Sequence, residues 1–175
     1  NYSGRENIGI CHYRRFFIDE DKQLLKEADY ERILSEYDVI FDPLSGFSGR
    51  LLGACSLGKK YVGSDIDEEH VKESQSIIDY FELEGTVEVR YVLECSGAYP
   101  CLFTCPPYGD KERWNEKNDL VEKSCDEWIQ ECMQRFDCEK YLFVVDRTEC
   151  FKDNIVEEID NSSPQTAALT VGASA

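Results

Sequence analysis

The stretch from Val39 to Gly53 restricts the fold more than any other part of the chain. Val39, Ile40 and Phe41 form a short, continuously apolar run, as expected of a parallel strand buried on both faces. Asp42 and Pro43 end it. Gly46 and Gly49 then allow a sharp turn and a close approach of backbone to a ligand. A helix is predicted from Ser48 or Gly49, carrying Leu51, Leu52, Ala54 and Leu57, with Gly58 closing it. A strand, a glycine-rich turn and the free amides of a helix start together make a cofactor cradle at the carboxyl end of a strand. The next predicted strand, Lys60 to Ser64, runs into Asp65, about twenty residues beyond Gly46. An acid at that spacing can accept hydrogen bonds from ribose hydroxyls.

The charges narrow the ligand. Asp42 at the mouth of the turn would repel a pyrophosphate, and the turn lacks the Lys-Ser/Thr ending of a nucleoside-triphosphate loop. S-adenosylmethionine, with an ammonium, a sulfonium and a ribose, suits both Asp42 and Asp65.

The remaining chain repeats strand and helix. A helix is predicted over Asp19 to Tyr37, capped by Asp19, with Leu24, Leu25, Ala28, Ile33 and Leu34 inward. A second follows over Glu68 to Leu83, with Val71, Ile77, Ile78 and Phe81 inward and Gly85 as its stop. Val87 to Val92 and Cys101 to Thr104 read as strands, Asn118 to Phe136 as a helix, Tyr141 to Val145 as a strand, and Lys152 to Ile159 as an edge strand. This order predicts an α/β protein of Rossmann-like type: a mostly parallel, doubly wound sheet flanked by helices, with right-handed crossovers. Residues 1–160 are expected to form one catalytic domain, with 1–37 packing on it, and 161–175 a weakly ordered tail. The basic-aromatic cluster Cys11 to Ile18, which includes Phe16 and Phe17, either packs on the domain or forms one wall of a cofactor or nucleotide pocket.

Composition bounds the partners. With 19 basic and 36 acidic side chains, the net charge of −17 opposes polyanion binding unless a local basic patch overrides it. Nine cysteines occur without a CxxC pair, and the two histidines, His12 and His70, lie far apart. Reduced, buried thiols in a cytoplasmic protein, and no metal, are therefore expected. The apolar runs fall short of a membrane span, and no signal peptide opens the chain.

A second marked stretch, Cys105-Pro106-Pro107-Tyr108, follows the strand Cys101 to Thr104 and should project from the same sheet edge as the first loop. Two prolines fix φ and remove two amide donors, leaving carbonyl acceptors. Tyr108 adds a flat face. Acceptors beside an aromatic plate suit the exocyclic amine of a base, whose lone pair is freed when its hydrogens are accepted. Beyond it, Lys111 and Arg113 can meet phosphates and Trp114 can stack, or the segment is a solvated loop.

The two loops together resemble the amino-methylating DNA methyltransferases (adenine N-6 or cytosine N-4), which combine a D-P-F-x-G-x-G-like loop with a D/N/S-P-P-Y/F loop. The resemblance spans roughly Val39 to Asp146. It implies that S-adenosylmethionine is the cofactor, with Asp42, Gly46 and Gly49 at its methionine end, Asp65 at its ribose and Ile66 on its adenine. It places the Pro106 carbonyl on the target amine and Tyr108 on the flipped base, with Cys105 and Pro107 completing the catalytic loop. Cys105 departs from the family's Asp, Asn or Ser, and a thiol is a weak acceptor. The implied substrate is DNA, in a restriction-modification or phage modification system. Only about fifty residues separate the loops, leaving no room there for a large recognition domain, so a separate recognition subunit is one expectation. Methylation of RNA or of protein amides, or a catalytically weak subunit with this fold, are the alternatives.

Overall fold

A computed structural model of the chain describes residues 15–107 and 123–146. Tyr108, Lys111, Arg113, Trp114, the strand expected at 152–159 and the tail 161–175 lie outside the described residues, as do residues 11–14 of the Cys11 cluster.

The chain forms β1 (Arg15–Asp19), β2 (Leu24–Leu25), α1 (Glu27–Ser35), β3 (Val39–Asp42), α2 (Gly49–Ser56), β4 (Lys60–Asp65), α3 (Glu68–Phe81) and β5 (Gly85–Val89). A 3-10 turn (Val92–Glu94), β6 (Gly97–Thr104), α4 (Cys125–Arg135) and β7 (Phe136–Asp146) follow. The sheet order is β2-β1-β7-β6-β3-β4-β5. The run β7-β6-β3-β4-β5 is parallel, whereas β1 lies antiparallel to β7 and to β2. This is the Rossmann-like, doubly wound α/β architecture expected from the strand–helix repeat.

The strand order reverses between β3 and β6. From β3 the chain steps outward through β4 to β5, then returns to β6 and steps the other way to β7. Right-handed crossovers in opposite directions put the helices on opposite faces. One face packs Ile33 and Leu34 of α1, Leu51 and Ala54 of α2, and Val71 and Ile78 of α3 onto Ile40, Tyr61, Phe103 and Leu142. The other packs Trp128, Ile129 and Cys132 of α4 onto Phe41, Leu102, Phe143 and Val145. Neighbouring strand residues such as Ile40 and Phe41, or Leu142 and Phe143, divide between the faces because strand side chains alternate.

Several local expectations change. The helix expected from Asp19 begins only at Glu27, because Asp19 ends β1 and its carboxylate accepts from the amides of Asp21 (3.1 Å) and Gln23 (2.9 Å), closing a hairpin. Leu24 and Leu25 belong to β2, and Leu24 is exposed. Glu82, at φ 52°, rather than Gly85, ends α3, and Gly85 opens β5. Phe81 of α3 and Leu52 and Leu57 near α2 face solvent. Phe136 starts β7 instead of ending α4. The α4 start is fixed by a capping box in which Ser124 and Glu127 exchange hydrogen bonds.

Among the described residues, Cys55, Cys95, Cys101, Cys105, Cys125, Cys132 and Cys138 form no disulfide. Among the described residues no group of His, Cys, Asp and Glu is placed to hold a metal ion, and no helix is long and apolar enough to cross a membrane.

Candidate functional site

The reversal between β3 and β6 opens a crevice at the carboxyl ends of the strands, where ligands bind in open α/β sheets. A cleft lies there, with about 440 Å³ of empty space open to solvent. Each wall comes from a strand end. Pro43, Leu44 and Gly46 follow β3, Asp65 and Ile66 end β4, Arg90, Tyr91 and Val92 follow β5, and Cys105 and Pro107 follow β6. The two loops marked in the sequence thus share one cleft.

Backbone and side-chain hydrogen bonds hold the turn after β3. The Gly46 amide donates to Asp65 Oδ2 (2.8 Å), and the Ser45 amide donates to the Ser64 carbonyl (2.9 Å). Gly46 takes φ 54°, which its missing Cβ permits without strain. Ser48 also takes a left-handed φ of 60°, unusual for a residue with a Cβ. Its buried hydroxyl is 2.6 Å from that of Ser74 on α3, a contact that helps hold the conformation. Gly49 differs from its expected role. It starts α2 without a positive φ, is exposed, and is not among the cleft-lining residues.

Asp65 lines the cleft with acceptor positions to spare. Its oxygens each accept one backbone amide, from Gly46 (2.8 Å) and Asp67 (2.9 Å). A carboxylate has roughly four acceptor positions, so about two remain beyond these amides. Half-buried Ile66 supplies an apolar wall beside it.

Asp42 is not the open carboxylate that its place in the sequence suggests. It is fully buried and does not line the cleft. Oδ2 accepts from Arg50 Nε (2.6 Å) and the Tyr61 hydroxyl (2.7 Å), and Oδ1 from the Thr104 hydroxyl (2.7 Å) and the Leu44 amide (3.2 Å). Burial alone would lower the Arg50 pKa, but the adjacent Asp42 charge reverses this and raises it. Burial first, and the Asp42 charge second, push the Tyr61 hydroxyl well above its ordinary value. Arg50 therefore stays protonated, and Tyr61 acts as a neutral donor.

On the opposite wall, Cys105 is half-buried, and Pro106 and Pro107 are buried; Cys105 and Pro107 line the cleft. Phe17 does not. It stacks on Tyr30 at 4.0 Å between ring centroids and packs near Phe103.

Leu44, Arg90, Tyr91 and Val92 were not singled out from the sequence. The alternation of Val87 to Val92 reads as one strand and hides the last three of these. In the sheet, β5 ends where its partner ends, with Val89 opposite Asp65, and the Arg90 amide donates to the Asp65 carbonyl (2.9 Å). The chain then turns across the cleft. Arg50 was missed too, although it is the sole basic residue between Val39 and Gly58.

The fold and cleft define a doubly wound α/β protein with a ligand crevice at its switch point. The chain belongs to the family described as "Domain of unknown function (DUF4422)", whose model matches residues 1–89. No curated protein matches it. Among solved structures it is similar to TehB from Haemophilus influenzae, with 12% identity, a TM-score of 0.47, and coverage of 63% of this chain and 36% of that one. It is also similar to magnesium protoporphyrin IX methyltransferase (ChlM) from Synechocystis PCC 6803 with bound SAM, with 17% identity, a TM-score of 0.38, and coverage of 45% and 41%. The chain therefore spans well under half the length of either structure.

Proposed function

We propose that the chain binds S-adenosylmethionine in this cleft and transfers its methyl group to the exocyclic amine of adenine or cytosine in DNA. The observation that carries this reading is that Gly46, Asp65 and Ile66 from one loop region face the same cleft as Cys105 and Pro107 from the other. When bound, the cofactor would supply an electrophilic methyl group.

The chain's own residues would do the rest by holding and shielding. Asp65 would accept from the ribose hydroxyls with its remaining acceptor positions, and Ile66 would cover the adenine. Buried Pro106 and Pro107 stiffen the opposite wall. The Pro106 carbonyl would accept from the target amine and favour the nitrogen as it becomes positive, which is catalysis by positioning and fixed dipoles. Cys105, a weak acceptor, would contribute less there than the Asp, Asn or Ser of the resembling enzymes. A target in duplex DNA would have to be flipped into the cleft. Tyr108 would stack on it. Arg90, on the rim, is a cation that could meet backbone phosphate, and a separate recognition subunit would supply most of the DNA contact.

Isothermal titration with S-adenosylhomocysteine tests the cofactor. Binding is expected for the wild type and at least about tenfold weaker binding for Asp65→Asn, whose NH2 group replaces one acceptor and sets a donor against one of the two backbone amides that Asp65 accepts. No binding by the wild type would refute the cofactor assignment. Transfer of labelled methyl to DNA, RNA or total protein tests the acceptor, and label in RNA or protein but not DNA would overturn the DNA substrate. The net charge of −17 favours a protein acceptor over either nucleic acid, since it opposes approach of a polyanion.

A further inference from the structure

We infer that Arg50 is a positioning residue that sets the shape of the cleft wall, and that Asp42 is its anchor and not a ligand for the bound molecule. The inference deepens the proposed function and rests on it for the identity of the ligand.

Asp42 has no acceptor capacity left. Its two oxygens receive Arg50, Tyr61, Thr104 and the Leu44 amide, which matches the roughly four positions a carboxylate offers. An ammonium from the cofactor could reach it only by displacing one of these from a fully buried site.

Arg50 does more than neutralise Asp42. It sits in the first turn of α2, yet its side chain folds back beneath the turn it follows and is 15% exposed. Nε donates to Asp42, and Nη2 donates to the carbonyls of Leu44 and of Ser45 (3.1 Å). The planar fork thus grips the acid and two successive backbone carbonyls at once, a geometry that a lysine ammonium cannot reproduce. Leu44 lines the cleft, and Gly46, one residue beyond Ser45, donates to Asp65.

The anchor reaches the opposite wall as well. The Thr104 hydroxyl on Asp42 belongs to the last residue of β6, immediately before Cys105. Arg50 therefore holds one wall directly, and through Asp42 it is tied to the strand end that delivers the other.

The test separates neutralisation from positioning. In full-length Arg50→Met the buried acid loses its cation, and both stability and binding should fall. Asp42→Asn combined with Arg50→Met removes both charges. If Arg50 only neutralises Asp42, this double variant regains both urea midpoint and S-adenosylhomocysteine affinity, which would overturn the inference. If Arg50 positions the wall, the double variant regains midpoint relative to Arg50→Met but still binds about tenfold or more weakly than wild type.

A ligand-free measurement keeps the inference separate from the cofactor assignment. Arg50→Lys keeps the charge but loses the fork. Its amide hydrogen exchange at Gly46 to Ser48 should rise about tenfold or more, while β4 stays protected. Unchanged exchange at Gly46 to Ser48 would overturn the inference. Altered exchange in a protein that does not bind S-adenosylhomocysteine would instead retain Arg50 as the organiser of the wall and refute the cofactor.

Discussion

Replacing Tyr61 with Phe isolates one link of the buried network beneath the cleft. Tyr61 is fully buried, and its hydroxyl lies 2.7 Å from Asp42 Oδ2. Phenylalanine keeps the ring and leaves no large cavity, so the change is close to pure hydrogen-bond loss. A hydrogen bond to a charged group contributes about 1.5–3 kcal/mol. Arg50 remains on the same oxygen at 2.6 Å, so the carboxylate keeps a partner there and the loss should sit near the lower part of that range, about 2 kcal/mol. For a chain of this size each kcal/mol moves the melting midpoint by about 2–4 °C, giving a fall of about 4–8 °C. Urea unfolding at neutral pH, followed by far-ultraviolet circular dichroism, reads the effect as a lower midpoint with an unchanged m value. A loss under about 0.5 kcal/mol would refute the reasoning, since surface changes without a structural role fall in that range. Thr104→Val provides the cross-check. Because its hydroxyl bonds the other oxygen of the same carboxylate, the two substitutions should be non-additive by about 0.5 kcal/mol or more.

Gly63→Ala should destabilise the same region by a different route. The added Cβ would lie 2.6 Å from Tyr61 Cε1 and 3.2 Å from both Ser45 Cβ and Val87 Cγ2, so a packed ring must move, at a cost of about 1–3 kcal/mol; a urea midpoint equal to wild type would show that the site has slack. Alkaline pH should weaken the fold. Burial raises the Cys101 and Cys132 thiols from an ordinary 9.0 to about 12, so above pH 9 the unfolded chain releases protons that the folded chain keeps. Their contribution is complete below pH 9 and is lost as pH rises towards 12, at up to about 1.4 kcal/mol per pH unit for each thiol. Urea midpoints measured between pH 8 and 11 should fall less steeply for Cys101→Ala, and an unchanged slope would remove Cys101 from that account.

Local patterns carried much of the architecture. The apolar run Val39 to Phe41, the helical stripe around Val71 and Ile78, and the apolar run at Leu142 to Val145 each reflect periodicity within one element, so the doubly wound order could be read directly. The same local view failed where two states compete over a few residues. Leu24 and Leu25 satisfy a helical stripe, but the hairpin closed by Asp19 claims them for the sheet. Arg90 and Tyr91 continue an alternating pattern, but no partner strand extends beyond Asp65 to pair them.

The chain's sequence by itself determined the strand–helix order and put Gly46, Asp65, Ile66, Cys105 and Pro107 at one sheet edge, because residues that follow parallel strands share the carboxyl edge; the strand order that makes a crevice there belongs to the tertiary structure. Only the tertiary structure decided what Asp42 does. Its partners Arg50, Tyr61 and Thr104 stand 8, 19 and 62 residues away and come from α2, β4 and β6. No local spacing records that convergence. A carboxylate that reads as a ligand in the linear chain becomes a buried anchor, since four donors and the exclusion of water satisfy it inside the protein before any ligand arrives.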